Sequence, residues 1–196
     1  MMNDKPQYPR IVRCGSTDVE IHLMGPDDEA AVLAFARELP PHDLLFLHRD
    51  IRNPKVVAAW IEQIRLGAIT SLLAVVDGRV HGCTAIVRDL LSWSPHVAEL
   101  RVVIDPEMRG TGLGRTLVQD AFTLAVAMGV EKVLARMTSD QRSAIAVFEE
   151  MGFRGEALLR DYVRDAAGIT HDMAILSLDV ARSRAQRHAF GYSEAF

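Results

Sequence analysis

Cysteine is scarce in this chain: among 196 residues there are two, Cys14 and Cys83, far apart in sequence. Thiols so few and so spaced give neither a disulfide framework nor a metal-ligating cluster, and a reducing cytoplasm is the expected location. Long apolar runs are missing as well. No stretch approaches the roughly 20 residues that a helix needs to cross a bilayer, and the opening MMNDKPQYPR carries no apolar segment that could act as a secretory signal. No membrane partner is therefore expected. The net charge is -4 and no basic block stands out, which argues against nucleic acid as a partner. The seven histidines are scattered and none forms an H-x-x-x-H pair, so no metal site is expected.

What remains is an ordinary globular composition, 49% hydrophobic and 24% charged, in a chain long enough to bury one substantial core. No internal repeat, low-complexity tract or linker divides it. Residues 1–16 read as a lead-in with room for an extra strand, 17–178 as the domain, and 179–196 as a tail that is basic and then aromatic.

The stretch around which the rest is arranged is AELRVVIDPEMRGTGLGRT, residues 98–116. An apolar strand, Leu100 to Ile104, turns at Asp105 and Pro106 into a loop of Arg109, Gly110, Thr111, Gly112, Leu113 and Gly114 that opens a helix. The first N–H groups of a helix lack intrahelical acceptors and sit at the positive end of its dipole, which makes them an anion site. Glycines let a large anion approach the backbone, and Arg109 adds a planar fork of charged donors. The loop therefore reads as a pyrophosphate cradle. It is not a P-loop, which would end in Gly-Lys-Ser/Thr, nor a dinucleotide fingerprint, because its spacing is G-x-G-x-G and Arg115 follows.

Hydrophobic periodicity places the other elements. Arg10 to Cys14 and Val19 to Met24 form paired strands. A helix begins at Pro26 and buries Val32, Phe35, Ala36 and Leu39; Pro40 and Pro41 stop it. A short helical piece spans Asp43 to His48, and a helix capped by Asn53 turns Val57, Trp60, Ile61 and Ile64 inward until Gly67. Ser71 to Val76 and Arg79 to Asp89 make a hairpin across Asp77-Gly78. The helix after the glycine loop buries Leu117, Val118, Ala121, Leu124, Ala125 and Met128. Lys132 to Met137 is a strand. Ser139 or Asp140 then caps a helix carrying Ala144, Val147, Phe148 and Met151, and Arg154 to Val163 with His171 to Leu178 close the domain as a hairpin.

Two motifs in this order resemble the GNAT superfamily of N-acetyltransferases. Arg109, Gly112 and Gly114 match its acyl-CoA signature [RQ]-x-x-G-x-[GA]. Residues 141–153, QRSAIAVFEEMGF, are similar to its N-x-x-A-I-x-x-Y-E-x-x-G-F helix, with Ala144, Ile145, Glu149, Gly152 and Phe153 in register. The resemblance implies a mixed α/β domain, a central sheet of about six to seven strands flanked by helices, in which the strands at 99–104 and 132–137 splay apart and admit acyl-CoA. It implies pantetheine along the backbone of Val102, Val103 and Ile104, the thioester carbonyl near the Val103 N–H, and pyrophosphate on residues 109–114 beside Arg115. Gln141 stands where the family has Asn, and Phe148 where many relatives carry the Tyr that protonates the leaving thiolate.

The implied reaction moves an acetyl group from acetyl-CoA, by direct attack on the thioester, to a primary amine of a small or amino-acid-like molecule. A protein amine, or binding of acyl-CoA without catalysis, are the alternatives. Glu99 is the first candidate for general base. It shares a strand face with Arg101 and Val103 but lies roughly 13 Å along the strand from Val103, so it would act through water. Pairing of Glu99 with Arg101 alone is the competing reading. His96 is the second candidate base, and Tyr162, Ser143 or water the source of the thiolate's proton. Phe46, His48, Arg49, Asp50, Trp60 and Trp93 are candidates for lining the acceptor pocket. No metal is implied, and a homodimer stays open.

Overall fold

The structure is a computed structural model whose described residues are 7–181. The expected tail beyond residue 181 lies outside them. Nine strands form one sheet: β1 (Arg10–Cys14), β2 (Thr17–Leu23), β3 (Ile69–Thr70), β4 (Leu72–Val76), β5 (Arg79–Val87), β6 (Val97–Ile104), β7 (Lys132–Thr138), β8 (Arg154–Arg164) and β9 (Thr170–Asp179). The spatial order is β1-β2-β4-β5-β6-β7-β9-β8, with two-residue β3 beside β5. The surplus over six to seven strands comes from β3 and from β1, which the lead-in supplies.

Among the described residues four helices cover the sheet: α1 (Glu29–Glu38), α2 (Pro54–Arg65), α3 (Leu113–Ala127) and α4 (Arg142–Glu150). On one face, Val32, Phe35 and Ala36 of α1 and Val57 of α2 pack on Leu73, Cys83 and Val103. On the other, Val118, Ala121 and Ala125 of α3 and Phe148 of α4 pack on Ala98, Leu100, Val133 and Ala135. Alternation along β6 thus sends Glu99, Arg101 and Val103 to the α1/α2 face, and Ala98 and Leu100 to the α3/α4 face. The predicted stripes of α1 and α3 are the ones buried.

Local chemistry explains most boundaries. Asn53 accepts from the Lys55 N–H at 3.0 Å and caps α2. Asp77 and Gly78 both have positive φ, 49° and 79°, as a tight two-residue hairpin turn requires. Three expectations shift. The short helical piece expected over Asp43 to His48 is a 3-10 turn at Pro41–Leu44. Pro26–Asp28 is a 3-10 turn and α1 proper starts at Glu29, while α4 is preceded by Gln141, which makes no side-chain cap, rather than by Ser139 or Asp140.

The feature that positions the site is the β6–β7 pair. It is the parallel pair in an otherwise antiparallel sheet, and its ladder covers only Val97–Glu99 against Lys132–Leu134. Beyond Glu99 the strands part: β6 stays on β5 as far as Ile104, and β7 stays on β9 as far as Thr138. Phe153 lies under this region, fully buried and edge-on to Phe148 with ring centroids 5.0 Å apart. Phe153→Ala should cost about 3–5 kcal/mol of stability, read as a lowered urea midpoint with an unchanged m-value.

Candidate active site

The glycine loop has the geometry of a cradle. Gly110 and Gly112 have φ of 76° and 90°, and a Cβ at either position would point into open space rather than into protein. Gly112 precedes α3, its carbonyl accepts from the Thr116 N–H at 3.0 Å, and the first-turn amides of Gly114 and Arg115 have no carbonyl one turn behind them within the helix. Thr111 closes the loop by donating to the Met108 carbonyl at 2.7 Å. Arg109 pairs with Asp43 and Arg115 with Glu150, so both cations sit at the rim with exposed side chains whose carboxylate partners a phosphate can replace. Leu113 is buried beneath and anchors the turn rather than facing solvent.

The parted edge of β6 supplies a second element. Val103 stands opposite Cys83, and the Asp105 N–H donates to the His81 carbonyl at 2.8 Å. In an antiparallel ladder the bonding direction alternates, so the Val103 N–H points to β5 while the N–H and C=O groups of Val102 and Ile104 face the wedge. The amide expected beside the thioester carbonyl is therefore that of Val102 or Ile104, not of Val103, whose contribution is its side chain. Loop and edge together fit a long ligand with a pyrophosphate at one end. Gln141, half-buried at the head of α4, lies on the β7 side of the parting.

On the α1/α2 face a cavity of about 490 Å³ adjoins this edge. Trp60 and Gln63 of α2, Ala85 of β5 and Arg101 and Val103 of β6 line it, with His48 and Arg49 at its mouth. His48, Arg49 and Asp50 also line a neighbouring cavity of about 340 Å³. Of the expected pocket residues, Phe46 is instead in the core and Trp93 is fully exposed and outside both cavities.

Glu99 is at the centre of a cluster of two guanidinium groups and an imidazole. Arg101 donates to it through Nε at 3.0 Å and Nη2 at 3.2 Å; His48 Nε2 lies 3.7 Å and Arg136 Nε 3.9 Å from its Oε2. Arg136 Nη1 is also 3.3 Å from His48 Nε2. Burial alone would raise the Glu99 pKa, but the Arg101 fork and the charges of Arg101, Arg136 and His48 outweigh it and hold the carboxyl below its ordinary range. Arg136 reaches Glu99 across the opening between β6 and β7, and its Nε is buried without a hydrogen-bond partner. Arg136 is not among the residues expected at the site; the signal in the sequence is a basic residue sharing the Leu134 face of β7 with Lys132 and Thr138, whereas the opposite face, Val133, Ala135 and Met137, is wholly apolar.

The remaining candidates are not brought to this place. His96 is exposed at the start of β6, roughly 23 Å along the strand from Val103. Its carbonyl serves the Glu131 and Lys132 amides, and its ring lies outside both cavities. Tyr162 is 51% exposed on β8 and also outside them. Phe148 is a core residue on the α3/α4 face, under the sheet rather than at the cavity.

The description of the Acetyltransferase (GNAT) family matches residues 33–153, more than half of the chain. The protein belongs to this family. A [ribosomal protein bS18]-alanine N-acetyltransferase from Salmonella typhimurium is 29% identical over 75 residues, 38% of this chain and 49% of the relative. The chain's match thus spans about half the length of the curated relatives. The structure is similar to an acetyltransferase of the GNAT family from Streptococcus pneumoniae (TM-score 0.72, 20% identity, 83% of this chain and 99% of the other). It is also similar to a phosphinothricin acetyltransferase from Sinorhizobium meliloti in complex with AcCoA (TM-score 0.69, 19% identity, 81% and 88%). Among the described residues no helix is long and apolar enough to cross a membrane.

Two variants test this geometry. Gly112→Val forces a β-branched residue to positive φ, which costs about 1–3 kcal/mol, and fills the cradle; acetyl-CoA should no longer shift its melting temperature. Glu99→Gln should lose stability relative to the wild type above pH 4.5, the ordinary value of the carboxyl. A depressed pKa stabilises the fold above the unfolded value and that contribution is lost as pH falls through the folded one, so the two proteins should converge in acid. Chemical unfolding across pH checks the sign.

Proposed function

We propose that this protein transfers an acetyl group from acetyl-CoA to the primary amine of a small, amino-acid-like acceptor that also carries an anionic group. The observation that carries the acceptor assignment is the charge of the 490 Å³ cavity. Arg49, Arg101 and His48 contribute to its wall and, among the described residues that line it, there is no carboxylate; Glu99 lies behind Arg101 and pairs with it. Arg88 lines the cavity too, but its guanidinium donates to the backbone carbonyls of Met128, at the end of α3 on the other face, and of Pro95, so the charge of the wall rests on Arg49 and Arg101. A polyamine would enter such a cavity against repulsion, whereas a carboxylate or phosphinate would be drawn in and oriented. The chain's net charge of -4 points the other way, but local charge decides a site.

Acetyl-CoA supplies the activated thioester. The glycine loop and the α3 amides hold its pyrophosphate, Arg109 and Arg115 neutralise it, and Gln141 sits beside its arm. The edge of β6 aligns the chain that leads to the reacting carbonyl, with the wedge-facing amide of Val102 or Ile104 placed to donate to developing negative charge. Glu99 and His48 form the proton-accepting pair. Arg101 keeps the carboxylate ionised and fixed, and His48, at the mouth of both cavities, connects it to an amine entering from solvent.

Two further features support direct attack. Cys83, the thiol that lines the cavity, is pushed up to about 12 by burial and stays protonated, so it does not serve as a relay for the acetyl group. Phe148 offers no proton, which leaves CoA thiolate to depart as the anion, a tolerable leaving group because thiols ionise near pKa 8.5. Release of CoA thiol should be seen with amino acids and their analogues bearing a free amine and an acidic group, and little with polyamines or aminoglycosides. Turnover confined to polyamines would overturn the acceptor assignment. Cys83→Ala should keep turnover and sequential kinetics; ping-pong kinetics lost in this variant would overturn direct attack.

A further inference from the structure

No metal site is expected from the sequence, in which the histidines are scattered and none forms an H-x-x-x-H pair. The fold brings two of them together with a carboxylate from a third segment. His42 stands in the 3-10 turn Pro41–Leu44, Asp140 in the turn between β7 and α4, and His171 near the start of β9. One ligand atom from each lies within 4.8 Å of the other two. His42 Nε2 is 2.8 Å from Asp140 Oδ2, and the two imidazoles meet edge to face with centroids 4.9 Å apart.

The arrangement is held in place by its surroundings. The Thr138–Met173 pair ends the β7–β9 ladder and the Ser139 N–H donates to the Asp172 carbonyl at 3.0 Å, which fixes the backbone on either side of Asp140 and His171. Two prolines, Pro40 and Pro41, restrict the turn that carries His42. Asp165 Oδ2 is 3.0 Å from His171 Nε2. A carboxylate can only accept, so this contact favours a proton on Nε2, and a neutral ring would then present the lone pair of Nδ1 to a metal, the outer-shell arrangement found around ligating histidines.

We propose that His42, Asp140 and His171 form a site for a divalent transition-metal ion of the zinc class. Two imidazoles and one carboxylate suit zinc, whereas magnesium and calcium prefer oxygen alone. A tetrahedral ion with ligands at about 2.0–2.2 Å needs its donors roughly 3.4 Å apart, so small rotations of partly exposed side chains complete the set, and water takes the fourth position. The ion replaces the proton shared by His42 and Asp140. It clamps the 3-10 turn to β7 and β9, and because Asp43 of that turn holds Arg109, the clamp lies next to the pyrophosphate loop.

The test is calorimetric titration of the full chain, stripped by chelator, with Zn²⁺ alone, accompanied by thermal melts. The wild type should take up one equivalent saturably and melt at higher temperature with the ion. His42→Gln and His171→Gln should each weaken binding by roughly 10- to 100-fold or more and abolish the melting shift. Asp140→Asn should weaken it too, and His96→Gln, at an exposed residue outside the cluster, should leave both uptake and the melting shift as in the wild type. Absence of saturable uptake by the wild type, or affinity unchanged in the His42 and His171 variants, would overturn the site.

Discussion

The constraint on which the molecule depends is the parting of β6 from β7. A parallel pair inside a sheet normally satisfies every backbone group along its length. Here pairing stops after Glu99 and Leu134, and each strand keeps only its outer neighbour. The amides and carbonyls of Val102 and Ile104 are left at an internal edge, a row of donors and acceptors that an extended ligand can join as a strand would. The helices stabilise this opening from both faces. Phe148 and Phe153 fill the sheet's underside near the parting, and the α1/α2 layer closes over Val103 on the other side.

The opening also organises charge. At its base Glu99 gathers Arg101, Arg136 and His48, and beyond its end the α3 dipole and Arg109 face outward. A carboxylate between two guanidinium groups and an imidazole is a poor base by itself but an effective anchor. It holds the guanidinium of Arg101 in the wall of the cavity and that of Arg136 beside the parting, and the proposed function rests on the anion-receptive surface that results. The buried, unpartnered Nε of Arg136 marks a donor still available within the opening.

Much of this was legible in the sequence wherever the cause is local. The G-x-G-x-G spacing, the buried stripes of α1 and α3, the Asn53 cap and the Asp77-Gly78 turn each depend on a few consecutive residues. The splay was implied by the family resemblance and not by any pattern in the strands themselves. What could not be read depends on register between distant segments. Arg136 reaches His48 and Glu99 only because β7 stays with β9 while β6 stays with β5. His42, Asp140 and His171 meet for the same reason. His96 and Tyr162 are candidates by side-chain chemistry and nearness in sequence alone, and the fold sets one roughly 23 Å along the strand from Val103 and leaves the other exposed outside both cavities. The direction of the Val103 amide is likewise fixed by pairing with Cys83, which a lone strand cannot reveal.

The most direct measurement is amide-resolved hydrogen exchange by NMR with and without acetyl-CoA. If acetyl-CoA lies along the edge of β6 with its pyrophosphate in the glycine loop, exchange should slow at Val102 and Ile104 and at Gly112, Gly114 and Arg115, while Val103, already in the ladder to β5, changes little. Binding that stabilises the protein yet leaves those amides exchanging as before would contradict the account.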